Sequence, residues 1–316
     1  MGLPVFVFKY VERGKKMIYT LTINPSLDYI MEMDEISVGK MNRSKTEYIL
    51  PGGKGINVSQ ILNELGVENV AILPVAGFTG KKLLDMLANK GIETKAIQLK
   101  EGDTRINVKV LGDKETELNA GGPKMEESEK KELLAKLEEL KEGDYLVLSG
   151  SVPSNFGNSF YAEIMELLNK KQVKVVVDTI GENLKNSLQW NPFLIKPNVE
   201  ELEDLFEEKI DSREKVLSLA VKLRIMGAEN VLVSLGKEGA LLLTSEDKCY
   251  EMEAPNSVVI NSVGAGDSMV AGFLAGFMKT NDMETALKLG IAAGSASAFS
   301  KKMATRQEID ALFHIL

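Results

Sequence analysis

The sequence predicts an α/β three-layer sandwich, with a mostly parallel central sheet covered by helices on both faces and a small β lid. Three observations predict it. β-rich runs alternate with helical runs along most of the 316 residues, the pattern of a parallel sheet sandwiched by helices. Several strand runs, such as 70–76 and 240–243, are continuously apolar, as strands buried on both faces should be. Two stretches, 24–50 and 104–122, break the rhythm with polar, alternating sequence that does not suit a helix-covered sheet, and they are assigned to the lid.

Taken in order, Met17 precedes a clear first strand at 18–23, so residues 1–16 read as an extension and 17–316 as the folded unit. The apolar run at 3–8 is short, holds Pro4 and lacks a preceding basic region, so it is a poor signal peptide. Lid strands are expected at 29–33 and 45–50, and a hairpin at 104–119 with its turn at Gly112-Asp113. Further strands are expected at 70–76, 145–149, 173–178, 193–195, 231–235 and 240–243. Helical periodicity falls at 57–65, 81–90, 128–140, 160–170, 199–206, 213–226, 268–278, 283–299 and 306–316.

Composition removes several function classes. The net charge of −8 argues against a broad nucleic-acid surface. One cysteine, Cys249, allows neither an internal disulfide nor a cysteine zinc site and fits a reducing, cytoplasmic compartment. One histidine, His314, makes Ser-His-Asp chemistry and histidine metal clusters improbable, so catalysis must draw on carboxylates, backbone dipoles, Lys and Arg. No apolar run is long enough to span a bilayer, and no membrane partner is expected.

The most informative stretch is Asn261-Ser-Val-Gly264-Ala265-Gly266-Asp267, which opens directly onto a helix. Small residues leave backbone N–H groups uncovered at the positive end of the helix dipole, a ready anion site. Asp267 is misplaced for anion binding alone. It suits a base that takes a proton from an attacking alcohol, and its bland reading is a helix N-cap. Five further clusters accompany it. Asn24-Pro-Ser-Leu-Asp28 ends the first strand, which puts Asp28 at a strand's C-terminal edge or in a plain turn. Gly52-Gly53-Lys54-Gly55-Ile56-Asn57 opens a helix and lets backbone approach a ligand. Asp178-Thr-Ile-Gly181 and Lys196-Pro-Asn198-Val-Glu200 both follow strands, and Glu200 could cap a helix or orient a metal-bound water. Ser234-Leu235-Gly236-Lys237-Glu238-Gly239 makes a strand–turn–strand with room for a nucleotide. There is no Walker A loop, dinucleotide fingerprint or protein-kinase signature.

These motifs together resemble the ribokinase-like (PfkB) family of sugar kinases over residues 17–316, with GGKGIN at 52–57 and NSVGAGDS at 261–268 similar to its two signatures. The second signature departs from many members, which carry Asp-Thr where Asn261-Ser262 stands. The resemblance implies a ribokinase-like sandwich that forms a homodimer through its lid, and phosphoryl transfer from ATP with Mg²⁺ to a phosphorylated ketohexose. NPSLDY, GGKGINV and TRINVK at 104–109 point to fructose 1-phosphate as acceptor, with tagatose 6-phosphate the alternative. By the same resemblance Asp267 is the catalytic base, and the backbone of Gly264, Ala265 and Gly266 forms the anion hole. Asp28, Gly53 and Asn57 hold sugar hydroxyls, and Arg105 binds the substrate phosphate, with Lys40, Arg43 and Lys54 as further cations for it. Lys196, Asn198, Glu200 and the turn from Ser234 to Gly239 serve ATP, with Glu200 on the metal through water. A sensor that keeps the fold without catalysis is the reading from another class, and the intact Asp267 argues against it.

Overall fold

The computed structural model describes residues 16–113 and 115–316. The extension read at 1–16 therefore lies, apart from Lys16, outside the described residues. In chain order the elements are β1 (Ile18–Leu21), β2 (Ser26–Glu32), β3 (Thr46–Gly52), α1 (Lys54–Glu64), β4 (Asn69–Val75), α2 (Gly77–Asn89), β5 (Glu93–Gln98), β6 (Arg105–Leu111), β7 (Thr116–Asn119), α3 (Glu127–Glu138), β8 (Tyr145–Ser149) and α4 (Phe160–Asn169). They continue with β9 (Lys174–Asp178), α5 (Gly181–Leu188), β10 (Leu194–Ile195), α6 (Val199–Phe206), α7 (Arg213–Ile225), β11 (Val231–Ser234), β12 (Ala240–Leu243), β13 (Cys249–Met252), α8 (Ala265–Thr280), α9 (Met283–Ala298) and α10 (Arg306–Ile315).

Nine strands form the central sheet in the order β13-β12-β11-β10-β9-β8-β1-β4-β5. Every pairing from β11 to β5 is parallel, and β12 and β13 close one edge antiparallel. The chain runs outward from β1 through β4 to one edge and then returns to β8 on the other side of β1. That reversal is where open α/β sheets bind ligands, beyond the carboxyl ends of their strands.

Both faces of the sheet are buried, which explains the unbroken apolar runs. On β8 the side chains alternate between two cores: Leu146 and Leu148 pack into one, Tyr145 and Val147 into the other. β9 divides the same way, Val175 and Val177 against Val176, as the two-residue period of a strand demands. The first core is completed by apolar faces of α3 to α7, the second by α1, α8, α9 and α10.

The lid is a separate four-stranded sheet in the order β3-β2-β6-β7. β2 pairs parallel with β6, and the outer pairs are antiparallel. The predicted fold class is thus the observed one, with the hairpin at 104–119 present as β6 and β7. Three elements were not expected. β5 and β13 are short edge strands rich in polar residues, and α5 is a polar two-turn helix, so none carries a strong periodic signal.

The placement of α8 depends on its packing with α9. A Cβ on Gly272 would lie 2.4 Å from the carbonyl oxygen of Leu289 and 2.8 Å from Cβ of Ala293. Only a glycine lets the two backbones approach so closely. Gly272→Ala must push the helices apart, and overpacking of this kind costs about 1–3 kcal/mol. A drop of several degrees in Tm is expected by calorimetry, and an unchanged Tm would show that the contact relaxes without cost.

Candidate active site

A cleft of about 610 Å³ opens between the carboxyl ends of the parallel strands and the inner face of the lid. From the sheet it receives Thr22 after β1, Ser149 at the end of β8, Asp178 at the end of β9, Lys196 after β10 and Ser234 at the end of β11. From helix starts come Gly53, Lys54 and Asn57 on one side and Gly264, Gly266 and Asp267 on the other. From the lid come Ser26, Asp28, Arg105, Asn107, Lys109, Glu117 and Asn119. These lid residues alternate along β2, β6 and β7, so the sheet turns one polar face to the cleft.

Asp267 is the third residue of α8, and Gly264 at φ 80° occupies the cap position without a side-chain hydrogen bond. The N-cap reading of Asp267 is thereby removed. Its carboxylate, 4 % exposed, accepts a hydrogen bond of 2.8 Å from Nδ2 of Asn57. Burial and the neighbouring charge of Asp178 push the Asp267 carboxyl up to about 6, against the lowering effect of Lys54, Asn57 and Lys196. The helix dipole favours the charged form, and burial outweighs it. The first-turn amides of α8 have no intrahelical acceptors by geometry and no side chain caps them, although the Ala265 N–H donates back to the Ser262 carbonyl at 3.3 Å. The Lys196 ammonium stands beside them, 3.1 Å from where a Cβ on Gly266 would sit.

Asp178, also fully buried, lies between two ammonium groups, Lys196 at 3.3 Å and Lys54 at 3.5 Å. Burial alone would raise its carboxyl, but the two lysines hold it below the ordinary range. Lys54 is a net-raised ammonium for the same reason: Asp178 and Asp267 outweigh its desolvation. Gly53 makes this geometry possible, because α1 begins from a φ of 119° and a Cβ there would meet Thr22 Cγ2 at 2.5 Å.

The predicted site residues divide into those the fold gathers and those it does not. Asp28, Gly53, Lys54, Asn57, Arg105, Lys196, Asn198, Ser234, Gly264, Gly266 and Asp267 all line the cleft. Asp28 does so from the middle of lid strand β2 and not from the end of β1, since Asn24-Pro25 turns the chain out of the central sheet first. Arg105 donates through Nε and Nη2 to the Asn24 carbonyl and through Nη1 to that of Ala120, which ties β6 to both lid hinges. Lys40 and Arg43 are exposed between β2 and β3 and do not line the cleft. Glu200 also points to solvent. One step along α6 turns a side chain about 100°, and the acid that reaches the cleft is Glu201, which forms a reciprocal capping box with Asn198. In the turn after β11, Leu235 is buried, Glu238 pairs with Arg213, and Gly236 and Lys237 stand open to solvent outside the cleft. Gly239 is required by packing, since a Cβ there would lie 2.0 Å from the Met252 carbonyl oxygen. Ala265 contributes backbone only.

Sequence reasoning noted the Asp178 cluster without giving Asp178 a role, and passed over Lys109, Glu117 and Asn107. Asp178 carried a signal, as the one charged residue closing an apolar strand run. The other three needed the lid's pairing to be known. Three buried polar atoms of cleft-lining residues lack partners within the protein: Thr22 Oγ1, Ser149 Oγ and Asn107 Oδ1. Buried polar atoms are rarely left so, which marks a place for a polar ligand.

Uncapped helix amides, two ammonium groups and a carboxylate poised near neutrality, under a polar lid, define a phosphotransferase that acts on an alcohol. The chain belongs to the pfkB family of carbohydrate kinases, whose model it matches over residues 22–309. It is 43% identical over 296 residues to the 1-phosphofructokinase of Bacillus subtilis, covering 94% of this chain and 97% of that protein. It is 34% identical to a tagatose-6-phosphate kinase of Staphylococcus epidermidis, covering 90% and 93%. Phosphofructokinase-2 of Escherichia coli, solved with fructose 6-phosphate, superposes with a TM-score of 0.89 at 30% identity, covering 96% and 99%. Kinases of this family take their phosphoryl group from ATP, typically with Mg²⁺. No helix among the described residues is long and apolar enough to cross a membrane.

The base assignment predicts a pH profile. Only charged Asp267 accepts a proton, so kcat/KM should be level above about pH 6 and fall tenfold per unit below it. Asp178→Asn removes a charge that raises Asp267 and frees two ammonium groups that lower it. Both changes move the acid limb to lower pH. Initial rates across pH 4.5–8 check this (a window set on the order of two units about the limb), and a limb that stays in place or moves up would rule out Asp267 as the titrating group.

Proposed function

We propose that this chain transfers the γ-phosphoryl group of ATP to the 6-hydroxyl of fructose 1-phosphate, giving fructose 1,6-bisphosphate. The single observation that carries the reading is Asp267 at the uncapped start of α8, facing a lid wall that holds Arg105 and Asp28. The 1-phosphofructokinase relative at 43% identity supports the choice of acceptor. Residues 17–316 form the kinase unit, with the lid built from segments near 24–50 and 104–122.

In this reading Asp267 takes the proton from the attacking hydroxyl. The amides of Gly264, Ala265 and Gly266, with Lys196 beside them, stabilise the charge that develops on the transferring group. Lys54 lies on the same side of the cleft as Lys196, both oriented by Asp178. Asp28, Gly53 and Asn57 hold the sugar, and Arg105 holds its resident phosphate. Asn57 also donates to the base, which leaves the other carboxylate oxygen of Asp267 to face the acceptor. The donor set suits Mg-nucleotide without a protein cage. No group of three or more acidic, His or Cys residues that could hold a metal occurs among the described residues, and Mg²⁺ is ordinarily bound by one or two carboxylates together with substrate phosphates. On α6 the acid within reach of the cleft is Glu201, and Glu200 remains available only through water. The bound ion would supply charge neutralisation on the phosphates.

The lid leaves an apolar outer face, with Ile49, Ile106 and Leu118 exposed at 37, 41 and 62 %. A second copy of this chain would cover it, so the enzyme is proposed to be a homodimer through the lid. Leu118→Arg should then shift the protein towards monomer in analytical ultracentrifugation, and a monomeric parent protein would exclude the dimer.

ADP release measured across purified hexose phosphates tests the substrate. Fructose 1-phosphate should have the highest kcat/KM, with some turnover of tagatose 6-phosphate, and a reversed preference would overturn the acceptor while leaving the kinase. Arg105→Ala removes a charge-assisted contact to the sugar's own phosphate. KM for the sugar phosphate should rise by on the order of 10- to 100-fold, with little change in KM for ATP. Equal effects on both substrates would exclude the clamp.

A further inference from the structure

The inner face of the lid holds a charged cluster of which the reaction just described uses only Asp28. Lys109, 8 % exposed, sits in the middle of β6 with its ammonium between two carboxylates, 3.5 Å from Asp28 Oδ2 and 3.1 Å from Glu117 Oε1. All three residues line the cleft. The register explains the grouping: Asp28 is opposite Asn107 across the β2–β6 pair, and Lys109 is opposite Glu117 across the β6–β7 pair.

Each carboxylate is held by more than the lysine. Ser26 Oγ donates to Asp28 Oδ1 at 2.7 Å, and Asn107 Nδ2 donates to the same oxygen at 3.1 Å. Gly52, paired with Ser26, keeps this corner open, for a Cβ there would lie 2.4 Å from Asp28 Oδ1. Asn119 Nδ2 donates to Glu117 Oε2 at 3.2 Å. Burial pushes the Glu117 carboxyl up, but Asn119 and Lys109 outweigh it and hold it below its usual range, so it is charged at neutral pH. An ammonium has three protons, and two point at carboxylates. The cluster therefore presents acceptor, donor and acceptor in a row, a pattern that matches adjacent hydroxyls of a sugar. Its charge also makes sense for such a ligand. Two bare carboxylates would repel a phosphorylated sugar, and the lysine between them cancels one of the two charges.

We propose that Asp28 and Glu117 together read the hydroxyl pattern of the ketohexose phosphate, and that Lys109 is the positioning residue that sets the two carboxylates at the right spacing. The inference rests on the acceptor class proposed above and extends it from Asp28 to the outer lid strand β7.

The test compares fructose 1-phosphate with its C4 epimer, tagatose 1-phosphate, which keeps the phosphate in place and inverts one hydroxyl. Glu117→Gln keeps the shape and loses the charge. It should raise KM for fructose 1-phosphate several-fold, leave KM for ATP within about twofold, and shrink the epimer ratio in kcat/KM, since a lost hydroxyl contact to a charged group is worth on the order of tenfold or more. Lys109→Met should raise the sugar KM by on the order of 10- to 100-fold, and Lys109→Arg should recover part of it. If Lys109→Met does not fold, Glu117→Gln decides alone. A purely structural role for the cluster predicts parallel losses with ATP and sugar and an unchanged epimer ratio, and either result overturns the proposal. Wild-type turnover is the control. Normal wild-type activity with indifferent variants defeats only this unit, whereas a wild type that phosphorylates neither epimer defeats the acceptor assignment and this proposal together.

Discussion

The arrangement depends on four charges gathered at one point, the buried carboxylates of Asp178 and Asp267, the buried ammonium group of Lys196 and the partly exposed one of Lys54. Burying any one alone would cost several kcal/mol, so each is tolerable only because the others are there. Their balance is deliberately uneven. Asp178 is shared by both lysines and pushed below its ordinary range, while Asp267 is left with an amide donor and more distant cations and is pushed up. Two aspartates in one cleft thereby acquire different proton affinities, which suits Asp178 to a fixed counter-ion and, in the proposed mechanism, Asp267 to a proton acceptor.

The scaffold serves this point directly. Asp178 and Lys196 close or follow adjacent parallel strands, Lys54 opens α1, and Asp267 lies in the first turn of α8. Four separate segments therefore place one charge each, and none can move without its element moving. The close α8–α9 packing around Gly272 fixes the axis of α8, which aims its free amides into the cleft. Strand β9, which buries Val175, Val176 and Val177, thus ends in a charge where the sheet opens onto the cleft.

The lid is built by a different rule. It is a single sheet with one face polar and directed at the cleft and the other apolar and partly exposed, so its sequence alternates where the central strands do not. Because β2 and β6 run parallel and β7 returns antiparallel, residues 26 and 28, 105, 107 and 109, and 117 and 119 meet on that polar face. The unpartnered Asn107 Oδ1 lies in this same wall.

The sequence by itself determined the fold class and much of the chemistry. Strands 145–149 and 240–243 and helix 199–206 begin and end where hydrophobic pattern and turn residues put them. The Gly264–Asp267 turn is a local object, with small residues, a helix start and a carboxylate within four positions, so its place at the start of a helix was legible without the rest of the chain. Tertiary structure decided what local pattern could not. Whether Glu200 or Glu201 faces the cleft turns on a 100° rotation about α6 that depends on where the helix docks. Asp28 belongs to the lid and not to a central strand, because the turn at Asn24-Pro25 takes the chain out of the sheet. Lys40 and Arg43, plausible cations by type, sit on a loop that does not line the cleft. Lys109 and Glu117 meet only through the register of β6 against β7, and Asp178 acquires its two lysines only when β9, β10 and α1 converge. Charge type is written in the sequence, but the low dielectric and the short distances that turn a carboxylate into a base exist only once distant segments exclude water together.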